Sequence, residues 1–281
     1  MHGETLTRRS LFRTAWLGAV AALAPPALVR AQTAIRWTAA PDTVGGSGLP
    51  APDPLVHLVN RITFGGSVED RDRARQLGFE GFVEEQLHPE EIDDSEVEAA
   101  VRAHFPTVGQ SQVAVERYPR LRVANQLKAA TVYRAVASPR QLFEMMVDFW
   151  SNHFNVHHLD GPVAYFKTIE DRDLIRRHAF GKFRDLLAGS AKSPAMIVYL
   201  DNFSNRKGAP NENYARELME LHALGVDGGF GQTDVEEVAR AFTGWRLGKG
   251  DPQSIRLDQF LFNPAQHDDG ARTVLGTPLP A

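Results

Sequence analysis

Two stretches of the chain set ionisable side chains where a helix would bury them. Residues 148 to 158 read DFWSNHFNVHH and place His153, His157 and His158 among Phe149, Trp150, Phe154 and Val156. Residues 211 to 225 read NENYARELMELHALG and place Glu217 and His222 among leucines, Met219 and Tyr214. Imidazole and carboxylate together suit two chemistries. They can hold a divalent ion, since a catalytic zinc takes three protein ligands and keeps a further position open. They can also move protons, when burial shifts a pKa toward neutrality. His153 and Glu217 are the candidate catalytic pair, and His153, Glu217 and His267 are the candidate metal ligands. No glutamate follows His153, so the zincin pattern HExxH is absent. The competing reading is a core polar group, because a buried unpaired donor or acceptor costs about 1 to 3 kcal/mol. A backbone carbonyl and a carboxylate would satisfy a buried imidazole without any ligand.

The elements that carry these residues follow from helical periodicity at roughly 100° per residue. With Met146 as zero, Met145, Val156, Phe149, His153, His157, Trp150, Phe143, Phe154 and Val147 share an arc about 200° wide, and His153 lies near its middle. The pattern predicts a helix over 139–156 with His153 and, one turn later, His157 on the buried face. His158 falls at the helix end. With Asn213 as zero, Leu224, Glu217 and Leu221 lie at about 20°, 40° and 80°, and Tyr214 and Leu218 follow, which puts Glu217 inside an apolar arc. His222 lies about 140° from Glu217 on that wheel. Either Glu217 or His222 therefore faces the site. Arg216 and Glu220, four residues apart, read as an ordinary surface pair. The two helices are expected to pack on each other and to bring a carboxylate of the Asp201 or Glu217 segment within reach of His153, with His267 as third ligand if an ion is held.

The rest of the chain bounds these possibilities. Its 281 residues, 43% hydrophobic and 23% charged, are a globular composition, and the net charge of −4 provides no basic field for nucleic acid. With no cysteine, disulfides and thiolate ligands are excluded, so a metal would rest on His, Asp, Glu or Asn. TRRSLFR precedes the apolar run TAWLGAVAALAPPALV and the small-residue end VRAQ. Residues 1–31 therefore read as a twin-arginine signal cleaved after Ala31, which implies a periplasmic or secreted protein. Pro25 and Pro26 break the run below the about 20 residues a spanning helix needs, so no stable membrane span is expected after cleavage. Residues 32–53 read as an irregular linker and 54–281 as one helical domain. Ser67 is expected to cap a helix that Gly78 ends, and Thr233 with Glu236 is expected to form a capping box. Residues 254–262 and 272–276 could pair. The fold class is mainly α, an irregular helical bundle with at most a small β-hairpin near the C-terminus. Phosphate-loop, nucleophile-elbow and EF-hand motifs are absent.

HLVNRITFGG (57–66), LGFEGFVEEQL (77–87), FWSNHF (149–154), YLDN (199–202), NENYARELMELHALGVDGGFGQTDVEEVARAFTGW (211–245) and HDDGARTVLG (267–276) together resemble the bacterial family known as the domain of unknown function 1800. The resemblance implies a mostly helical exported protein, often encoded beside a second exported family of sulfatase-like fold, but no reaction. Its polar motif positions carry over to Asn152, His153, Asp201, Asn202, Asn211, Glu212, Asn213, Arg216, Glu217, Glu220, His222 and His267. Asn152, Asp201, Asn202 and Asn213 are the candidates among them for binding a cofactor or ligand. His157 and His158 stand where the family motif calls for no histidine. Members of the family continue past the TVLG segment, so the chain is expected to lack the C-terminal part of the family domain.

Two readings follow. In the first, the protein is a metal- or carboxylate-dependent hydrolase of the cell envelope, with a divalent ion held by histidine and carboxylate. In the second, it is a non-catalytic binding or assembly module for an exported partner, such as a sulfatase-like protein, and the same residues form a structural His/Glu network. The sequence leaves both open.

Overall fold

A computed structural model describes residues 53–158, 161–248 and 259–279. The expected signal, and the expected linker up to residue 52, lie outside the described residues. The protein is mainly α-helical, with two short antiparallel strand pairs near its C-terminus, in keeping with the periodicity. It divides into two units, one of residues up to Pro106 with Lys128–Met145, the other of Thr107–Leu127 with Met146–Ala281.

In the first unit, Asp53 caps the Pro54–Ile62 helix by accepting from the Leu55 amide at 2.8 Å, and Pro54 supplies a pre-set φ at its first position. The Val68–Leu87 helix opens on the cap predicted for Ser67, and the cap is reciprocal. The Ser67 hydroxyl accepts from the Asp70 amide at 3.0 Å, and the Asp70 carboxylate accepts from the Ser67 amide at 2.9 Å. Gly78, expected to end this helix, does leave helical geometry there at φ 73° and ψ 179°, and a second helical segment runs on to Leu87. Leu58, Val59, Ala74 and Phe82 of these two helices form a buried cluster. Gln86 then ties the Val68–Leu87 helix to the segment around Pro139. Its amide donates to the Pro139 carbonyl at 3.0 Å, and its oxygen accepts from the Leu142 amide at 3.1 Å.

The second unit carries the chemistry-bearing stretches. The Val163–Glu170 helix passes through a π turn, Asp171–Ile175, into Arg176–His178. Pro194–Tyr199 is capped by Ser193. Asn213–Glu217 continues as a second π turn, Leu218–Ala223, and Gln232–Ala241 follows. Ala215, Met219, Val235, Val238 and Ala239 of these last helices form one buried cluster. The expected Thr233–Glu236 capping box is not formed. The helix begins earlier, at Gln232, because the Asp234 carboxylate accepts from the Gly231 amide at 2.9 Å and fixes the first turn there.

Strand β1 (Trp245–Gly248) pairs antiparallel with β2 (Gln259–Phe262), Trp245 opposite Phe262, and β3 (Arg272–Val274) pairs with β4 (Thr277–Leu279). The expected partner of 272–276 was the 254–262 segment. The turn at Leu275 and Gly276, both at positive φ, closes β3 onto β4 instead, and residues 254–258 lie outside the described residues. Among the described residues no helix is long and apolar enough to cross a membrane.

Candidate functional site

The helix that carries the first histidine spans Gln141–His153, and the Phe154 amide closes it by donating to the Trp150 carbonyl at 2.9 Å. It ends three residues before the predicted boundary, so His157 and His158 lie beyond it and the expected His153–His157 pair on one helical face does not form. His157 is exposed, with its ring 5.4 Å from that of His158. His153 is half-buried in an aromatic cluster, its ring 4.7 Å from Phe154, 5.6 Å from Trp150 and 5.8 Å from Phe183. Its Nε2 stands 3.0 Å from the carbonyl oxygen of His222. A carbonyl only accepts, so the imidazole carries its proton on Nε2 and donates. Trp150 is held beside it by an Nε1 donation to the Ala179 carbonyl at 2.9 Å.

The second stretch thus does pack against the first, but through a different face than expected. The structure buries Tyr214, Ala215, Met219 and His222, and it leaves Leu221 and Leu224 exposed and Glu217 half-buried. The apolar arc on the wheel is wide, and the Leu221–Glu217–Leu224 edge is its solvent edge. His222, near the centre of the opposite edge, is the residue turned inward. Burial lowers its pKa to about 4, with the neighbouring His153 adding to the shift. It is a neutral core imidazole, 5.5 Å from the Phe154 ring.

The remaining candidates fall into separate places. The Glu217 side chain makes no hydrogen bond or ion pair with another described residue. Asn152 is exposed and folds back on its own helix, donating to the Asp148 carbonyl at 3.0 Å. Asp201 is exposed at φ 57°, and its carbonyl receives the Ser204 hydroxyl at 2.8 Å. Asn213 is exposed, with its amide bonded to the Asn211 side chain at 2.9 Å. Asn202 is buried, and its Oδ1 accepts from Asn205 Nδ2 at 3.1 Å. His267 donates from Nδ1 to the Thr243 carbonyl at 2.8 Å. Arg216 bonds Glu212 and Gln232, each at 2.9 Å, and lies 3.6 Å from Glu220, so the predicted surface pair is one arm of a small network.

Two centres of this arrangement escaped the sequence reading. Asn205, fully buried, donates to Asn202 and, at 2.8 Å, to the Ala239 carbonyl, and its Oδ1 accepts from the Asn211 amide at 2.9 Å. One side chain thereby joins the 202–204 turn, the entry to the Asn213 helix and the end of the Gln232–Ala241 helix. The signal available was its setting in SNRKGAP, a turn-forming stretch in which Asn bonds backbone. The second centre is Arg240, which forks onto Asp268 through Nε at 3.0 Å and Nη2 at 3.1 Å and also reaches Glu237 at 2.8 Å. Asp268 accepts from the Gly270 amide as well, at 2.9 Å, and the guanidinium holds its carboxyl below the usual carboxylate range. Thr243 completes this centre by accepting from the Asp268 amide at 2.7 Å. Gly244 beside it has φ 78°, and a Cβ there would meet the Asn263 carbonyl at 2.6 Å, so the FTGW turn requires glycine.

The polar residues of FWSNHF, YLDN, NENYARELMELHALG and HDDG thus define one helical scaffold, and comparison with known proteins identifies it. The family model described as protein of unknown function (DUF1800) matches residues 57–281. The chain belongs to that family. No curated protein and no solved structure matches it.

In this DUF1800 chain the expectation of a metal site is overturned. Among the described residues no group of three or more His, Asp or Glu is placed to hold a metal ion. The physical reason is that the expected ligands are separated and engaged elsewhere. His153 bonds the His222 backbone, His267 bonds the Thr243 backbone, and Glu217 sits on the solvent edge of its helix. The metal- or carboxylate-dependent hydrolase reading, with His153, Glu217 and His267 around a divalent ion, is corrected accordingly.

Proposed function

We propose that the protein is a non-catalytic binding or assembly module for an exported partner protein. The observation that carries this reading is the use to which the polar motif residues are put. Most of those that bond at all bond structure of their own unit, His153 and His267 to backbone carbonyls, Asn211 to Ser204 and Arg216 to Glu212, and Asn205 and Arg240 beside them tie further segments together. Networks of this kind favour one arrangement of helices. Among the described residues they bring together no nucleophile, base and electrophile.

Export by the twin-arginine route, with cleavage after Ala31, places the module in the periplasm or outside the cell, and the expected partner is an exported protein of sulfatase-like fold. Arg8→Lys with Arg9→Lys should retain the protein in the cytoplasm, and N-terminal sequencing of the exported form should begin at Gln32. The binding reading is tested by titrating the sulfatase-like protein with the purified chain in a calorimeter. A saturable complex is expected. No heat of binding, together with turnover of ester substrates by the chain alone, would overturn the reading.

A further inference from the structure

We propose that the turn over residues 176–184, together with Phe149, is a docking surface for an anionic phospholipid membrane. The stretch reads RRHAFGKFR, which is four Arg or Lys, one His and two Phe with no carboxylate, in a chain whose net charge is −4. A global negative charge repels the protein from an anionic surface. The local reversal of sign marks a face that such a surface would attract.

The structure presents this stretch outward. It links the Arg176–His178 turn of helix to the Phe183–Lys192 helix, and Phe180, Gly181, Lys182, Phe183 and Arg184 are all exposed. Phe180 and Phe183 each expose 39% of their surface and Phe149 exposes 54%. Two of the rings flank one indole, and the third follows the residue that the indole bonds. Trp150 lies 4.9 Å from Phe149 and 5.9 Å from Phe183, and its Nε1 bonds the carbonyl of Ala179, the residue before Phe180. Arg177, Lys182 and Arg184 are exposed, and their side chains form no hydrogen bond or ion pair with another described residue. Asp185 adjoins the stretch and Asp148 adjoins Phe149, while Asp173 is paired with Arg172, so the cations stay in excess.

Aromatic rings that reach past a rigid scaffold, with free basic side chains between them, match the membrane interface in both of its parts. Rings settle at the boundary of headgroup and acyl chain, and the cations meet lipid phosphates. An acidic protein surface would use the cations but has no general need for rings on a protruding turn. The inference goes beyond the binding-module reading and does not depend on it, since partner binding and lipid binding are measured separately.

The test is sedimentation with vesicles, using the protein in the form purified from the cell envelope. Retention on phosphatidylglycerol–phosphatidylcholine vesicles is expected, with weaker retention on pure phosphatidylcholine and a decline with added salt. Lys182→Glu with Arg184→Glu should weaken binding to the anionic vesicles by at least about 25-fold, on the basis of about fivefold for each basic group lost. Phe180→Ser should weaken it several-fold. Arg75→Glu, an exposed charge reversal in the other unit, should leave it unchanged, and denaturant midpoints should show all variants folded. Equal retention by the double variant, equal binding to neutral vesicles, an equal loss in Arg75→Glu, or binding to an acidic protein but to no vesicle would each overturn the proposal.

Discussion

His153 Nε2 lies 3.0 Å from the carbonyl oxygen of His222, so one candidate histidine serves the backbone of the other. His222 lies in the last turn of its helix, which ends at Ala223, so its carbonyl has no intrahelical donor and is open to a side chain. The arrangement is a structural clasp between two helices. His153→Ala should therefore cost about 1 to 3 kcal/mol in urea unfolding, the range for leaving a buried acceptor unpaired. His153→Gln, whose amide can donate to the same carbonyl, should recover part of it. A chelator should leave the wild-type midpoint where it is. A chelator-induced fall as large as that of His153→Ala would sink the clasp.

His222 gives the clasp a pH dependence. Its folded pKa is lowered to about 4, against 6.5 for the free side chain. The unfolded chain therefore binds more protons than the folded one between those values, and stability rises with pH across that window. The contribution is complete above about pH 6.5, falls as pH drops toward 4, and levels off below, with a span of up to about 3 kcal/mol. Urea midpoints from pH 7 to 5, where carboxylates contribute little, should fall in the wild type. His222→Gln should flatten that slope. An unchanged slope in the variant would show that another group carries the dependence.

The outcome at these two histidines also marks what the sequence made legible. Helical class, the Ser67 cap and the packing of the two motif helices followed from spacing and capping chemistry, which are local. The inward face of 213–223 did not, because an arc running from Leu224 round to Met219 is too wide for one wheel to pick its buried edge. Tertiary contact made that choice, through Val235, Val238 and Ala239 on the next helix. The metal reading failed for a related reason. Residue type and helical position say that an imidazole is buried, but only the tertiary fold says whether a carboxylate or a carbonyl meets it. Asn205 and Arg240 were missed because their partners lie 34 and 28 residues away in the chain.

Asn205 is expected to be the most sensitive asparagine in the motif region. It is fully buried and makes three side-chain bonds to three segments. Asn205→Ala leaves the Ala239 carbonyl and the Asn211 amide without their partner, at about 1 to 3 kcal/mol for each. Asn205→Asp should do no better, since it keeps the acceptor but loses both donations and buries a charge. Asn213→Ala, at an exposed side chain, should stay within about 0.5 kcal/mol of wild type. Chemical denaturation of the three variants separates these outcomes, and equal losses for Asn205→Ala and Asn213→Ala would contradict the hub assignment.

The carboxylates order themselves by partner and not by their place on a wheel. Asp268 receives two guanidinium donations from Arg240 and the Gly270 amide, and both side chains of the pair are mostly buried, at 27% and 22% exposure. Charge-assisted forked bonds of this kind are the strong ones. Asp268→Ala should cost about 1 to 3 kcal/mol. Glu220→Ala breaks only a 3.6 Å contact to a partly exposed Arg216 and should cost about 0 to 1 kcal/mol. Glu217→Ala, with no bond to lose and a better helix former gained, should stay within about 0.5 kcal/mol. The pH behaviour provides an independent check. The Asp268 carboxyl is held below its ordinary range, so its stabilisation is present above about pH 4 and is lost only as pH falls toward the lowered folded value. The gap between wild type and Asp268→Ala should therefore be constant from pH 8 to 5 by urea midpoint. A gap that closes within that range, or a Glu217→Ala loss that exceeds that of Asp268→Ala, would mean that Glu217 has a partner in solution and that Arg240 does not hold Asp268.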